Sequence, residues 1–316
     1  MKKIFLFAAA AMVSLSSCVQ TNEVYTGGVQ EIGFKSAVTK AAIETATFDG
    51  SMTVAAAWDQ AATPGVYKQY FAPYKFTGTA TTPWAGDPDA KYWPNAGNMQ
   101  FIACYPYGIG TFAETIDATA GITGYTVTGI DNSDLTKQND VLFSDLHTVE
   151  APQTSAQALA FHHALALLKV NFATANTSEE VIVKSATVHN VVLGGKLTVT
   201  AAATSTAEWA GTTATPNALF QNVDTTNPLT ATADEDATAM LVVPGEQTSM
   251  TIVYTFNGHE MTKTVDLTKL DGDDTDVDTW DMGKKYIYNF TISANEIKFT
   301  CTVDTWTDVV SGGITI

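Results

Sequence analysis

The sequence predicts an all-β protein, two β-sandwiches behind a secretory leader. Two observations carry the fold class. Short runs of apolar residues alternate with polar ones along most of the chain, and Gly, Pro and Asn clusters punctuate them. Hydrophobic residues make up 45% of the 316 and charged residues only 16%, so the chain can bury cores and is not a disordered one. That length suits two ordinary domains once the leader is removed.

Residues 1–17 are the leader. Lys2-Lys3 precede an apolar run from Ile4 to Leu15, and Ser16-Ser17 follow it. The run is too short for a permanent membrane helix, and its flanks are those of a secretory signal. Leu15-Ser16-Ser17-Cys18 resembles a bacterial lipobox, in which Cys18 is acylated and becomes the new N-terminus. Residues 18–40 then read as a lipid-anchored propeptide. Within it Ile32, Phe34 and Val38 fall on one face of an extended strand. The strand runs into Lys40-Ala41, a basic site open to a processing protease. Such a strand is expected to be removable.

Residues 41–150 are the first predicted sandwich and residues 151–316 the second. In the first, strands are expected at 52–54, 70–76, 99–105 and 124–128, with Tyr92-Trp93-Pro94 before the third and residues 140–146 entering a loop. Residues 154–172 read two ways. Their Ala and Leu content favours a helix. Yet Leu159, Phe161, His163, Leu165 and Leu167 alternate, and Val170 and Phe172 resume on the shifted phase, as in a bulged strand. Farther on, 181–183, 186–188 and 191–193 are strand-like, and Gly194-Gly195 turns the chain into Leu197-Thr198-Val199. Residues 201–236, rich in Thr and Ala, are expected to loop over the surface. Residues 240–243 form a strand closed at Pro244-Gly245. Asn257-Gly258 between 250–256 and 261–267 is a hairpin signal. Tyr286, Tyr288, Phe290 and Ile292 alternate, and after a turn Ile297, Phe299, Cys301 and Val303 alternate back.

Charge narrows the function. The net charge is −17, and losing Lys2 and Lys3 with the leader leaves 14 lysines against 33 acids, or −19. Nucleic acid needs a basic footprint, so it is not an expected partner. All 16 basic residues are lysine, which rules out bidentate guanidinium recognition and puts any trypsin-like cut at lysine. Cys104 and Cys301 lie on apolar runs and read as buried thiols rather than a bridge. No catalytic residue, metal ligand or cofactor motif is expected. His147, His162, His163, His189 and His259 lack metal spacing, and nucleophile elbows, phosphate loops and Cys-x-x-Cys pairs are absent. Alternate aspartates in 271–278 offer oxygens to calcium, but without the EF-hand spacing a solvated loop is favoured. The 33 acids leave a glycosidase-type carboxylate pair open. Trp84 and Trp93, near Tyr92, are read as core aromatics ahead of a sugar platform.

Several short runs, taken in order, resemble the fimbrillin family, the lipoprotein precursors of type V pilus subunits in anaerobic Gram-negative bacteria. They are the lipobox; Phe34 followed by Val38-Thr39-Lys40-Ala41; Tyr92-Trp93-Pro94 before Phe101-Ile102-Ala103-Cys104-Tyr105-Pro106; and Leu159-Ala160-Phe161-His162-His163-Ala164-Leu165. Trp280-Asp281-Met282-Gly283-Lys284-Lys285-Tyr286-Ile287-Tyr288 and then Val303-Asp304-Thr305-Trp306 complete the set.

The resemblance implies two transthyretin-like β-sandwich domains, no enzyme activity and mainly strand over 154–172. It implies a precursor held at the outer membrane through lipid on Cys18. A protease then removes the first strand, and the vacated groove receives a C-terminal strand from another pilus subunit, self or related. Family processing is often at arginine, which this chain lacks. The expected donor is 306–316, where Trp306, Val310, Ile314 and Ile316 share one face in extended form. The competing readings are a monomeric surface lipoprotein and a pilus tip adhesin, either one binding a glycan or host ligand.

Overall fold

The computed structural model describes residues 30–35, 49–60, 64–79, 82–221, 223–232, 238–268, 278–293 and 296–306, together with the backbone of 309–310. Among these residues every regular helical or extended element is a strand. Cys18, Val38, Lys40, Ala41, Ile314, Ile316 and the aspartates of 271–277 lie outside them.

The largest sheet is eight-stranded and is centred on Gly50–Asp59. That strand pairs antiparallel with Tyr67–Gly78 on one side and Asn98–Tyr105 on the other. Leu142–Ser144 and Ala160–His163 extend the sheet beyond Asn98–Tyr105. Every residue from Met52 to Ala57 is buried, because this sheet is covered on both faces. Met52, Val54 and Ala56 share one core with Phe76, Phe101 and Phe161. Ala55 and Ala57 share another with Ile102, Tyr125, Leu197 and Val199. Period-two alternation thus feeds two cores from one strand.

The second of these cores is closed by a four-stranded sheet ordered Thr206–Ala210, Gly194–Thr200, Gly121–Asp131, Thr111–Asp117. Pairing therefore crosses residue 150. Gly194-Gly195 does not fold a hairpin back onto the preceding strand, Val181–Val192. It hands the chain to this other sheet, where Gly194 pairs with Asp131 and Gly195 with Ile130. A Cβ on Gly195 would lie 2.9 Å from the Ala210 carbonyl oxygen, so the bare backbone is what lets the neighbouring strands close in. Nor is 201–236 only surface loop, since Thr206–Ala210 and Ala214–Leu219 are strands within it. Their small Thr and Ala side chains, with Ala218 as the one buried residue, give the alternation little apolar contrast.

Two further four-stranded sheets share the remaining core. One runs Thr238–Val242, Ala166–Thr174, Lys284–Ile292, Ile297–Thr305, and the other Ala214–Leu219, Val181–Val192, Ser249–Phe256, His259–Asp266. Leu168, Val170, Val183, Ile252, Tyr254, Tyr286, Tyr288 and Phe290 fill the space between them. Asn257-Gly258 turns the expected hairpin with φ of 50° and 80°, the left-handed pair a two-residue type I′ loop needs.

Residues 154–172 are mainly strand, and the break in their alternation has a different origin from a bulge. Gln157–Ala158 and Ala160–His163 belong to the first part of the fold, and Ala166–Thr174 to the last sheet pair. The chain changes sheets at Ala164-Leu165, and the phase break after Leu167 comes from burial on both faces of one strand: Leu167 lies in one core and Leu168 and Val170 in another, with the register to Lys284–Ile292 unbroken. Helix propensity loses because both faces of Ala166–Thr174 are largely buried, which a strand between two cores satisfies. Cys104 is buried, Cys301 is partly exposed, and both thiols are free.

Candidate functional site

The leading segment, residues 30–35, lies over the first core and is bonded along both backbone edges. On one edge the Ile32 amide donates to Lys91 O at 2.6 Å and the Phe34 amide to Trp84 O at 2.8 Å. The Trp84 amide donates back to Phe34 O at 2.5 Å, and the Trp93 amide to Gln30 O at 3.0 Å. On the other edge the Gln157 amide donates to Gly33 O at 2.9 Å, where Phe34–Lys35 pairs parallel with Gln157–Ala158. Alternation sends Ile32 and Phe34 inward, as the sequence predicts, and both are wholly buried.

Phe34 is the main side-chain anchor. Its ring meets Phe76 edge-on at 5.1 Å and Phe101 at 5.2 Å, a favoured arrangement of aromatic quadrupoles. Trp84 and Trp93 complete the same cluster, so both are core residues, as expected. Trp84 lies directly on Gly78, where a Cβ would press into its ring at 2.5 Å. The result is a groove already filled by the chain's own leading strand.

The wall at 84–93 is tied to the sheet by contacts that leave the segment untouched. The Tyr70 hydroxyl donates to Tyr92 O at 2.7 Å, and the Asp89 amide donates to the Tyr74 hydroxyl at 3.0 Å. The Lys91 ammonium stands over the Tyr74 ring at 3.5 Å. Lys75 pairs with Asp87 at 2.6 Å, and the Thr77 hydroxyl donates to the same carboxylate. These two bonds, Lys75 first, hold the Asp87 carboxyl below its usual pKa.

At the other end of the described chain, Trp306 is 2% exposed in its own chain's second core. Its amide donates to Gly283 O at 2.9 Å, and its indole stacks on His163 at 3.7 Å and 12°. His163 in turn meets Asp140 at 2.9 Å. Past Trp306, Val309–Val310 pairs antiparallel with Ala160–Phe161, so Val310 sits opposite Ala160. Leading strand and tail thus meet adjacent stretches of the chain, Gln157–Ala158 and Ala160–Phe161. His162 bonds Asp145 at 2.9 Å, whose same oxygen accepts the Ser205 amide. Among the described residues no cluster of His, Cys, Asp or Glu could hold a metal ion.

A model of fimbrillin-like proteins matches residues 38–306. The chain belongs to the fimbrillin-like family. Among solved structures it is similar to a fimbrial protein from Bacteroides vulgatus, with 16% identity over 88% of this chain and 100% of that one, at a TM-score of 0.55. A cell-adhesion candidate from Bacteroides uniformis is 20% identical over 89% of this chain and 100% of that one, with a TM-score of 0.54. Another from Bacteroides ovatus is 13% identical over 89% and 99%, with a TM-score of 0.51. At such identities the likeness is one of fold. No curated protein matches the sequence.

In this fimbrillin-like chain, sequence reasoning found the buried face of the leading strand but missed the groove around it. Lys91, Trp84, Trp93 and Gln157 supply its main-chain partners, and Tyr70 and Tyr74 brace the wall. The only local signal was aromatic enrichment across 67–93, with six aromatic residues before Tyr92-Trp93.

Proposed function

We propose that this chain is a structural subunit of a cell-surface pilus, assembled by protease-triggered strand exchange and contributing to adhesion. Family membership supports the pilus. The observation that carries the exchange is the seat of residues 30–35, on main-chain bonds plus two inward side chains, a few residues before Lys40-Ala41. Burying Ile32 and Phe34 contributes about 1.5–3 kcal/mol each. Ordering each residue of a severed strand costs about 1–2 kcal/mol. Covalent continuity therefore keeps the strand in place, and a cut makes it displaceable.

In this reading lipid on Cys18 carries the precursor to the outer membrane, and a protease that accepts lysine cuts at Lys40-Ala41. Trp306 stays in its own core. The segment beyond it, with Val310, Ile314 and Ile316, leaves Ala160–Phe161 and enters the groove of the next subunit by β-strand addition. Purified precursor treated with a lysine-specific protease should form heat-sensitive, detergent-stable ladders whose subunits begin near Ala41. Cleavage there without ladders, or ladders of uncut chain, would refute the mechanism.

A further inference from the structure

The groove is useful to an incoming strand only if it outlasts the strand that leaves, and the wall at 84–96 carries the features that decide this. We infer that Trp58, Tyr70 and Tyr74 are positioning residues that hold this wall as a preformed half of the acceptor groove. The inference rests on the exchange reading above and deepens it.

The wall has two edges with different partners. Lys91 O, Trp93 N and both main-chain groups of Trp84 face residues 30–35. Between Lys91 and Trp93, the Tyr92 carbonyl points the other way in extended backbone, and the Tyr70 hydroxyl takes it at 2.7 Å. The Tyr74 hydroxyl accepts the Asp89 amide, and its ring carries the Lys91 ammonium, so the residue supplying one template carbonyl is gripped by its side chain. The Trp58 indole donates to Ala96 O at 2.9 Å. Gly97 makes that approach feasible: its φ is +99°, and a Cβ there would lie 2.6 Å from the Trp58 indole nitrogen.

None of these bonds involves the leading strand. The gripping rings also support one another, with Trp58 and Tyr70 at 5.8 Å, Tyr70 and Phe71 at 5.9 Å, and Phe71 and Phe76 at 6.0 Å. Among the described ring pairs, Phe34 meets this row at Phe76. Its departure removes the last ring and leaves the others, together with the wall they hold. A wall that loosened instead would have to be re-formed by every incoming strand, and the competent fraction of grooves would divide the apparent affinity.

The test uses the full chain with a specific protease site inserted at residues 36–40. After cleavage, a fluorescent peptide with the sequence of residues 30–35 is added in excess, and its association and dissociation rates are measured. Tyr70→Phe/Tyr74→Phe keeps both rings and removes only the hydroxyls. If the wall is then competent one time in ten, the association rate falls about tenfold with little change in dissociation. The thermal midpoint of the uncut protein should move little. Unchanged association in the double variant, whatever its thermal midpoint, would overturn the positioning role alone. Failure of the cleaved parent protein to take up the peptide would overturn both this inference and strand exchange.

Discussion

His163 Nδ1 lies 2.9 Å from Asp140 Oδ2, and the two side chains are 0% and 3% exposed. The same imidazole carries the Trp306 ring on its flat face. A loop residue, a strand residue and the last described core residue are thereby joined where Ala160–His163 ends. The bond fixes the ring plane, and the ring plane fixes Trp306.

Asp140→Ala takes this hydrogen-bond partner from a buried ring nitrogen, and it should lower unfolding free energy by about 1–3 kcal/mol, the range for leaving a buried polar group unsatisfied. Trp306→Ala should cost more, about 3–5 kcal/mol, through the cavity it leaves. Urea unfolding checks both. A loss below about 1 kcal/mol for either would mean that the junction rearranges around the change.

Phe34→Ala and Gly33→Ala should separate sharply. The first deletes a ring packed on Phe76 and Phe101 and should cost about 3 kcal/mol or detach residues 30–35, seen as rapid hydrogen exchange there. The second places a methyl 3.6–3.7 Å from Trp84 O, Ala156 and Pro83, at ordinary contact, and should be neutral. Equal effects would place the value of the segment in its backbone alone.

Burial pushes the Cys104 thiol up to about 12 and the Cys301 thiol up to about 11. Neither should react with iodoacetamide in the folded protein at pH 8, and both should react in urea. The linkage has a definite sign. A folded pKa above the unfolded value of 9.0 contributes stability that is full below pH 9 and is lost as pH rises toward 12. Buried Tyr125, its pKa also raised, acts in the same direction at higher pH. Urea midpoints should therefore fall from pH 9 upward, and less steeply in Cys104→Ala.

The tail can be tested by position. Deleting residues 309–316 should leave a folded subunit that forms no ladder. Ile314→Asp should weaken assembly more than Thr315→Asp, because strand faces alternate. Equal effects of the two substitutions, or normal filaments from the deletion, would show that the tail serves only its own chain, as its pairing with Ala160–Phe161 allows.

Cys18→Ala should abolish fatty-acid labelling and membrane retention. Normal fractionation of this variant with the outer membrane would remove the lipid from the assembly scheme.

What the sequence determined by itself was whatever a single strand displays. Period-two alternation put Ile32 and Phe34 on one face and Tyr286, Tyr288, Phe290 and Ile292 on another, and Asn257-Gly258 marked its own turn. Each of these is local, set by side-chain direction or by φ within a few residues. Tertiary structure alone decided which strand pairs with which. It parted Ala160–His163 from Ala166–Thr174, carried Gly194 past a hairpin into another sheet, and drew Trp306 onto His163. It also built the groove, by setting Tyr70 against Tyr92 and Gln157 against Gly33. Backbone amides and carbonyls are the same on every residue, so a strand's sequence reports which faces it buries but not whose edge it will meet.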